Sequence, residues 1–427
     1  NKIKLDPNLE DLHFNIESWL IKKTGRDMGG RMHTGRSRND LRATLDRMIA
    51  REKVCEVINL LSEFRGQLLE FASNHLFTVM TGYTHMQPAQ PITLGHYMCA
   101  VAISFERDLK RLEAAYDTIN QCPLGACAFA GTDFPIDRKI TAKFLGFDSL
   151  VENSIDAVGS RDWVPELLAA LSIMMTNISR LSTDLYIWYT DEFSYIDLKG
   201  DVAAVSSIMP QKKNPIILEH CKAKAAHLFG YLMSSLSCLK NTPFGYSRDI
   251  SGESILPMWE GINESQNTLK LIQTAISSIE IRKKTMIEKA KLNFCTMTNL
   301  ANTLTREYNL SFRVAHTIVA QLVTKAINRS LRSDNIKPEM LDEVAIAVIG
   351  KKMKINASTL KSILDPERSV EMQNSFGGPA SIEVENMVRN SNIRLKECVK
   401  RLQRRRDMVS QSQTKLRDQV QKIINSI

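Results

Sequence analysis

The chain has 427 residues, 43% apolar and 24% charged, ordinary proportions for a globular protein able to bury a substantial core; about 150 residues per domain suggests about three domains. No stretch approaches the roughly 20 uninterrupted apolar residues that a membrane-spanning helix needs. The net charge of +9 is spread through helical patterns, apart from a cluster at Arg404, Arg405 and Arg406, and no nucleic-acid-binding motif accompanies it, so polyanionic small molecules suit it better than nucleic acid.

The first residues carry neither the apolar run of a secretory signal nor an initiator methionine, so further N-terminal residues are expected. Asp6 followed by Pro7 predicts an N-cap and first helical position. Leu9, Leu12, Ile16 and Leu20 then recur at helical spacing as one amphipathic helix. It stops in the glycine-bearing stretch from Thr24 to Gly35.

From about Leu41, a single stripe runs through Leu45, Met48, Cys55, Ile58, Leu61, Phe64, Leu68 and Phe71, which predicts a very long helix. Further long helices are predicted over Ile92–Asn120, Arg161–Glu192, Asn214–Leu239 and Ser254–Ile279. Strand-like alternation and hairpin signals are almost absent. An all-α bundle is therefore expected, and a bundle this extended usually completes its core by oligomerising.

Polar, glycine- and proline-rich breaks fall at 24–40, 79–91, 122–138, 199–215, 241–253 and 374–381, where binding groups concentrate in a helical protein. From Ile393 onward the chain is a basic amphipathic helix whose charge reads as a solvated face. Eight scattered cysteines form no CxxC pair and no zinc-like spacing. Reduced cytosolic thiols are expected, with neither disulfide nor metal implied.

Three of the breaks carry chemistry. SSIMPQKKNP, Ser206 to Pro215, followed by Glu219, sets two hydroxyls before Lys212, Lys213 and Asn214 at a predicted helix start. Exposed amides and ammonium groups there would seat a carboxylate, and the same field would stabilise a serine alkoxide acting as a base. On composition alone, a serine-capped, lysine-rich flexible loop is the plainer reading.

MHTGRSRND gathers His33, Thr34, Arg36, Ser37, Arg38 and Asn39; guanidinium forks with short hydroxyl and amide groups are what a carboxylate pocket requires. Alone it is an ordinary basic loop. GYTHMQPAQP sets Thr84, His85 and Gln87 before a proline break. A lone histidine is more often packed than catalytic, yet in a loop it can polarise a carboxylate.

Taken together and in this order, the three segments resemble the signature segments of the fumarase/aspartase superfamily. TGRSRND, GYTHMQPAQP and SSIMPQKKNP look specifically like the argininosuccinate lyase branch. PLGACAFAG at 123–131, NSIDAVGSRDWV at 153–164, YSRD at 246–249 and SFGG at 375–378 add to the likeness, which runs from about Gly25 to Arg394. It begins inside the family's N-terminal domain, whose earlier part is absent.

The resemblance implies an all-α, three-domain fumarase/aspartase-type fold around a central bundle of long helices, in a homotetramer whose active sites are each shared by three subunits. The chain would divide into residues 1–40, the remainder of the N-terminal helical domain; 41–285, the bundle domain; and 286–427, the C-terminal helical domain. The implied reaction is β-elimination of fumarate from an N-substituted aspartate, with argininosuccinate cleaved to arginine and fumarate, in the cytoplasm and without cofactor or metal.

The resemblance also assigns roles. Ser206 matches the base that removes the Cβ proton, and Lys212 and Asn214 match the groups that stabilise the resulting aci-carboxylate dianion. Ser37, Arg38, Asn39 and Thr84 match residues that grip the fumarate portion, and Gln87 belongs to the same substrate-binding set. His85 matches a histidine paired with Glu219, in an acid or supporting role. Tyr246 and Arg248 match the loop that faces the rest of the substrate.

The chain departs from the pattern in four places. Val205 replaces a glycine before the serine pair, and Ile216 replaces an aspartate after the NP step. Ser251 and Ser254 stand where argininosuccinate enzymes carry glutamine and lysine, groups that hold the carboxylate end of the arginine portion. The fumarate half thus reads as intact and the amine half as rebuilt. That leaves open another N-succinyl amine or aminopolycarboxylic acid as substrate. Of a different class, a non-catalytic crystallin-like structural protein shares this scaffold, and the basic C-terminal helix leaves room for an anionic partner.

Overall fold

The computed structural model describes residues 3–200 and 202–426. Its centre is five long helices: Arg38–Asn74, Leu94–Ile119, Trp163–Tyr189, Ile216–Leu239 and Leu256–Ser277. Each lies within a few residues of its predicted span. The first packs on the second and fifth, and the third packs on the second, fourth and fifth. Ile58, Leu61, Phe64 and Leu68 of the first helix are fully buried, Phe64 edge-on to Phe105 of the second with centroids 5.2 Å apart. Each such side chain contributes about 1.5–3 kcal/mol by leaving water, so the stripe accounts for a helix of 37 residues.

A second core lies toward the C-terminus, where Leu300, Leu304, Ile318, Leu322, Leu341 and Leu360 pack together. The chain then returns to the bundle. Helix Ser381–Asn425 buries Val384, Val388, Cys398 and Leu402 in the bundle core.

The charge of this terminal helix departs from the solvated face expected of it. Arg394 meets Glu106, Arg401 meets Glu113 and Arg405 meets Asp117, each pair 288 residues apart in sequence. A constant offset means that the helix runs parallel to Leu94–Ile119, with an arginine edge laid on an acidic one. Arg404 remains exposed.

Two local expectations are corrected. The first helix begins at Leu12, not at Pro7, because Asp11 caps it by accepting from the Phe14 N–H at 3.0 Å. Asp6 instead accepts from the Asn8 N–H at 2.9 Å in a turn. The fold is also not purely helical. The described residues form four two-stranded sheets, the largest a hairpin of Val79–Thr84 with Gln87–Thr93. His85 and Met86 make its two-residue turn with φ of 52° and 58°. Left-handed turn residues match the twist of paired strands, but the sequence offers neither Asn-Gly nor Asp-Gly to announce them. No described helix is long and apolar enough to cross a membrane.

Candidate active site

The site residues fall into three groups, each built by a different local device. In the first, Ser37 and Asp40 form a capping box at the start of the first bundle helix. The Ser37 hydroxyl accepts from the Asn39 N–H at 3.2 Å, and Asp40 accepts from the Ser37 N–H at 3.0 Å. Arg38 lies over the Phe14 ring, 4.6 Å from its centroid, and reaches Asp11 at 2.9 Å and Glu10 at 3.1 Å. Bonding to Asp11 and then Glu10 raises the Arg38 pKa. Burial pushes the Asp11 carboxyl up, but the Phe14 N–H and Arg38 outweigh it and hold it below its usual value. Arg38, Asn39, Tyr246 and Arg248 line one cleft of about 440 Å³. The first signature segment and the YSRD loop therefore do come together.

The second group is the hairpin tip. Thr84, His85 and Gln87 are exposed there, with Thr84 facing Gln87 across the strands. Thr84 and His85 line a second cleft, about 620 Å³, with Tyr97, Asp184, Trp188 and Phe193. The hairpin is fastened behind the tip by Asn293 donating to Thr81 at 3.0 Å and by Tyr83 meeting Tyr195 hydroxyl to hydroxyl at 3.0 Å.

The third group is the loop 206–212, closed by pairing of Ala204–Val205 with Lys213–Asn214. Lys213 and Asn214 are thus in a strand, not at a helix start; the helix begins at Ile216 without a side-chain cap. The Ser206 N–H donates to the Lys212 carbonyl at 3.0 Å. The Ser206 hydroxyl accepts from the Met209 N–H at 3.0 Å and, more weakly, from the Ile208 N–H at 3.4 Å. Two backbone donors aimed at one oxygen favour its anionic form. Lys212 and Glu219 are exposed, and Ile208 is 84% exposed, an apolar side chain without cover in a single chain.

One chain does not unite the three groups. The cleft holding Arg38 and Asn39 contains neither His85 nor Ser206, and the cleft holding His85 contains none of the other groups. His85 and Glu219, expected as a pair, share no hydrogen bond within the chain. Among the described residues no cluster of three or more His, Cys, Asp or Glu is arranged for a metal, and all eight cysteines are unpaired thiols.

Ser251 and Ser254 do not face the cleft. Both are fully buried; the Ser254 hydroxyl donates to the Ile250 carbonyl at 2.7 Å, and its carbonyl accepts from Ser235 at 2.9 Å. Here the loop takes a single π-turn over Asp249–Glu253, which turns these positions against the fourth bundle helix. The groups this loop offers to a ligand are Tyr246 and Arg248. Within one chain these two serines therefore offer no group to the cleft where glutamine and lysine were expected.

Sequence reasoning missed several supporting groups. Fully buried Asp40 accepts from the Gly125 N–H at 3.0 Å and the Cys127 N–H at 2.9 Å, and Asn39 donates to the Ala128 carbonyl at 3.1 Å. The S-x-x-D spacing of Ser37 and Asp40 was its available signal. Buried Arg161 stands 3.8 Å from Asp46; burial lowers the arginine pKa and raises that of the carboxyl.

Two family models match the chain: one described as lyase over residues 1–230, and one described as argininosuccinate lyase C-terminal over residues 294–371. Argininosuccinate lyase 1 of Shouchella clausii is 46% identical over 382 residues, 90% of this chain and 77% of that protein. Argininosuccinate lyase of Methanocaldococcus jannaschii is 41% identical over 407 residues, 94% of this chain and 82% of that protein. Among solved structures, EDDS lyase in complex with formate superposes with a TM-score of 0.91 at 33% identity, covering 98% of this chain and 84% of that one.

Proposed function

The chain belongs to the argininosuccinate lyase family, and from that premise we propose that it splits argininosuccinate into arginine and fumarate by β-elimination, as a cytoplasmic enzyme of amino-acid biosynthesis. It is a carbon–nitrogen lyase.

Ser206 as alkoxide takes the Cβ proton of the succinyl portion. The electron pair left on carbon delocalises into the adjacent carboxylate as a dianion, held by Lys212 and Asn214. The pair then returns to form the carbon–carbon double bond as the Cα–nitrogen bond breaks, and the departing nitrogen receives a proton. Fumarate is held by Ser37, Arg38, Asn39 and Thr84, with Gln87 beside them. Tyr246 and Arg248 face the arginine portion. His85, oriented by Glu219, supplies the proton or supports the group that does.

The observation that carries this reading is the pair of N–H bonds to the Ser206 hydroxyl. A serine is a feeble base unless its alkoxide is stabilised, and preorganised donors do that without reorganising during the reaction. The three groups come together in a homotetramer with each site shared by three subunits. The uncovered apolar stripe Phe229, Met233 and Leu236 on the fourth bundle helix supports such an assembly, as does exposed Ile208.

A second reading keeps the chemistry and changes the leaving group to another N-succinyl amine or aminopolycarboxylic acid. The likeness to EDDS lyase favours it. Mixing the protein with argininosuccinate and a panel of N-substituted aspartates, and following fumarate in the ultraviolet, separates the two. Fumarate from argininosuccinate at the highest kcat/KM is the expected result; none from any substrate would defeat both.

A further inference from the structure

We propose that Asp40 is a positioning residue of this site, locking the dicarboxylate grip of the first bundle helix onto the loop 123–131; the inference rests on the fumarate-binding reading of Arg38 and Asn39.

Asp40 is fully buried and spends both carboxylate oxygens on backbone N–H groups from two distant segments. One oxygen accepts from Ser37, at 3.0 Å. The other accepts from Gly125 at 3.0 Å and Cys127 at 2.9 Å. Gly125 has φ of 91° and Cys127 φ of 55°, so this stretch bends into a concave nest whose amides converge on one anion. A non-glycine residue in the left-handed region is held there by its surroundings, and the Asp40 carboxylate is the bonded partner of that residue's N–H.

Ala128, next in the chain after Cys127, gives the lock its consequence. Its carbonyl accepts from the Asn39 side-chain amide at 3.1 Å, so the direction of that amide depends on where Ala128 sits. Ala128 is one residue past an anchor on Asp40, and Asn39 is one residue before it. The two contacts close a short ring through Asn39, Asp40, Cys127 and Ala128. Opening the Asp40 side of the ring frees the carbonyl that aims Asn39, which lines the cleft with Arg38, Tyr246 and Arg248.

The test is a double-mutant cycle between Asp40→Asn and Asn39→Ala in the full chain, read both as kcat/KM for argininosuccinate and as fumarate affinity by calorimetry. The amide in D40N keeps the volume but sets a donor against the nest. D40N is expected to lower kcat/KM by about 10–100-fold, the scale of a misplaced positioning group, and to weaken fumarate binding. In the N39A background the same change is expected to add less than about 3-fold, because coupled residues do not add.

Equal losses in both backgrounds, or an unchanged D40N, overturn the proposal. Should D40N fail to fold, Gly125→Ala takes its place. A β-carbon there would stand 2.7 Å from Cγ of Arg138 in a backbone conformation hostile to it, which tilts the nest while leaving the carboxylate intact. Its loss too must vanish when Asn39 is absent. A wild-type protein silent toward argininosuccinate counts against the functional reading alone, and the fumarate-affinity cycle then decides Asp40.

Discussion

Gly159 lies so close to Gly245 that a β-carbon on Gly159 would stand 2.8 Å from the Gly245 carbonyl oxygen. This backbone-to-backbone contact seats the loop that carries Tyr246 and Arg248 on the end of the short helix Ser154–Gly159. Tyr246 continues it by packing on Ala126, Val151, Ala157 and Val158.

Gly159→Ala should therefore shift the substrate-facing loop and leave the bundle intact. The expected outcome is a fall of about 10–100-fold in kcat/KM, carried mainly by KM for argininosuccinate, with fumarate affinity changed little. Gly66→Ala is the control: a β-carbon there would make ordinary contact with Leu395 at 3.6 Å. Replacing a mid-helix glycine should stabilise by about 0.5–1 kcal/mol. Steady-state kinetics and thermal midpoints on both variants check the pair; a harmless Gly159→Ala would show that the loop seat is slack.

Ser206→Ala removes the proposed base while leaving Lys212 and Asn214 in place. Turnover should fall by more than the ~10²–10³-fold typical of losing one preorganised donor, with fumarate still bound. Near-normal turnover of S206A would refute the assignment of the base.

Met233→Asp sets a charge in the apolar stripe of the fourth bundle helix. On the proposed assembly, sedimentation should show a tetramer replaced by smaller species, and activity should disappear with it, since the groups proposed as catalytic lie apart in one chain. A fully active monomer would contradict the shared site.

Glu106 bridges buried Arg65 at 2.5 Å and Arg394 at 2.8 Å. Arg65 is 1% exposed, so Glu106→Ala leaves a buried cation uncompensated, at a cost of about 3–5 kcal/mol. Arg405→Ala breaks a pair whose acid, Asp117, is largely exposed, and should cost about 1 kcal/mol or less through the ion pair itself. Denaturant midpoints of the two variants should differ accordingly; equal midpoints would mean that the terminal helix is held by packing alone.

His75 has its pKa lowered to about 4 by burial and, secondarily, by Lys283. The folded state therefore resists protonation that the unfolded chain accepts from about pH 6.5 downward. Its contribution is fully present above pH 6.5 and is lost as pH falls from there toward about 4. Discounted for partial exposure, the loss is about 1–2 kcal/mol. His75→Gln should flatten this limb of the stability curve, measured as thermal midpoint against pH; an unchanged slope would place the acid sensitivity elsewhere.

Much of the architecture is legible in the residues alone. The stripe through Cys55, Ile58, Leu61 and Phe64 announces the first bundle helix because burial at helical spacing leaves a period in the sequence. Ser206, Arg38 and His85 stand out because their neighbours carry recognisable wording. The hairpin under His85 does not, since Pro88 and Pro91 break the strand pattern and the left-handed pair His85 and Met86 lacks the usual turn residues. The cap at Asp11 is hidden because Asp6-Pro7 offers an equally good local signal, and only the bond to the Phe14 N–H distinguishes them.

Composition, periodicity and motif wording, all local properties of the chain, were enough by themselves to determine a helical bundle of this family and to single out Ser206 as the candidate base. Tertiary structure decided what depends on distant partners. It put Ser251 and Ser254 inside and Arg248 at the cleft, laid Arg394, Arg401 and Arg405 on the second bundle helix, and joined Asp40 to Gly125 and Cys127. A charge or hydroxyl has the same appearance in sequence whether it meets water, a ligand or a backbone amide; only the packed chain chooses its partner.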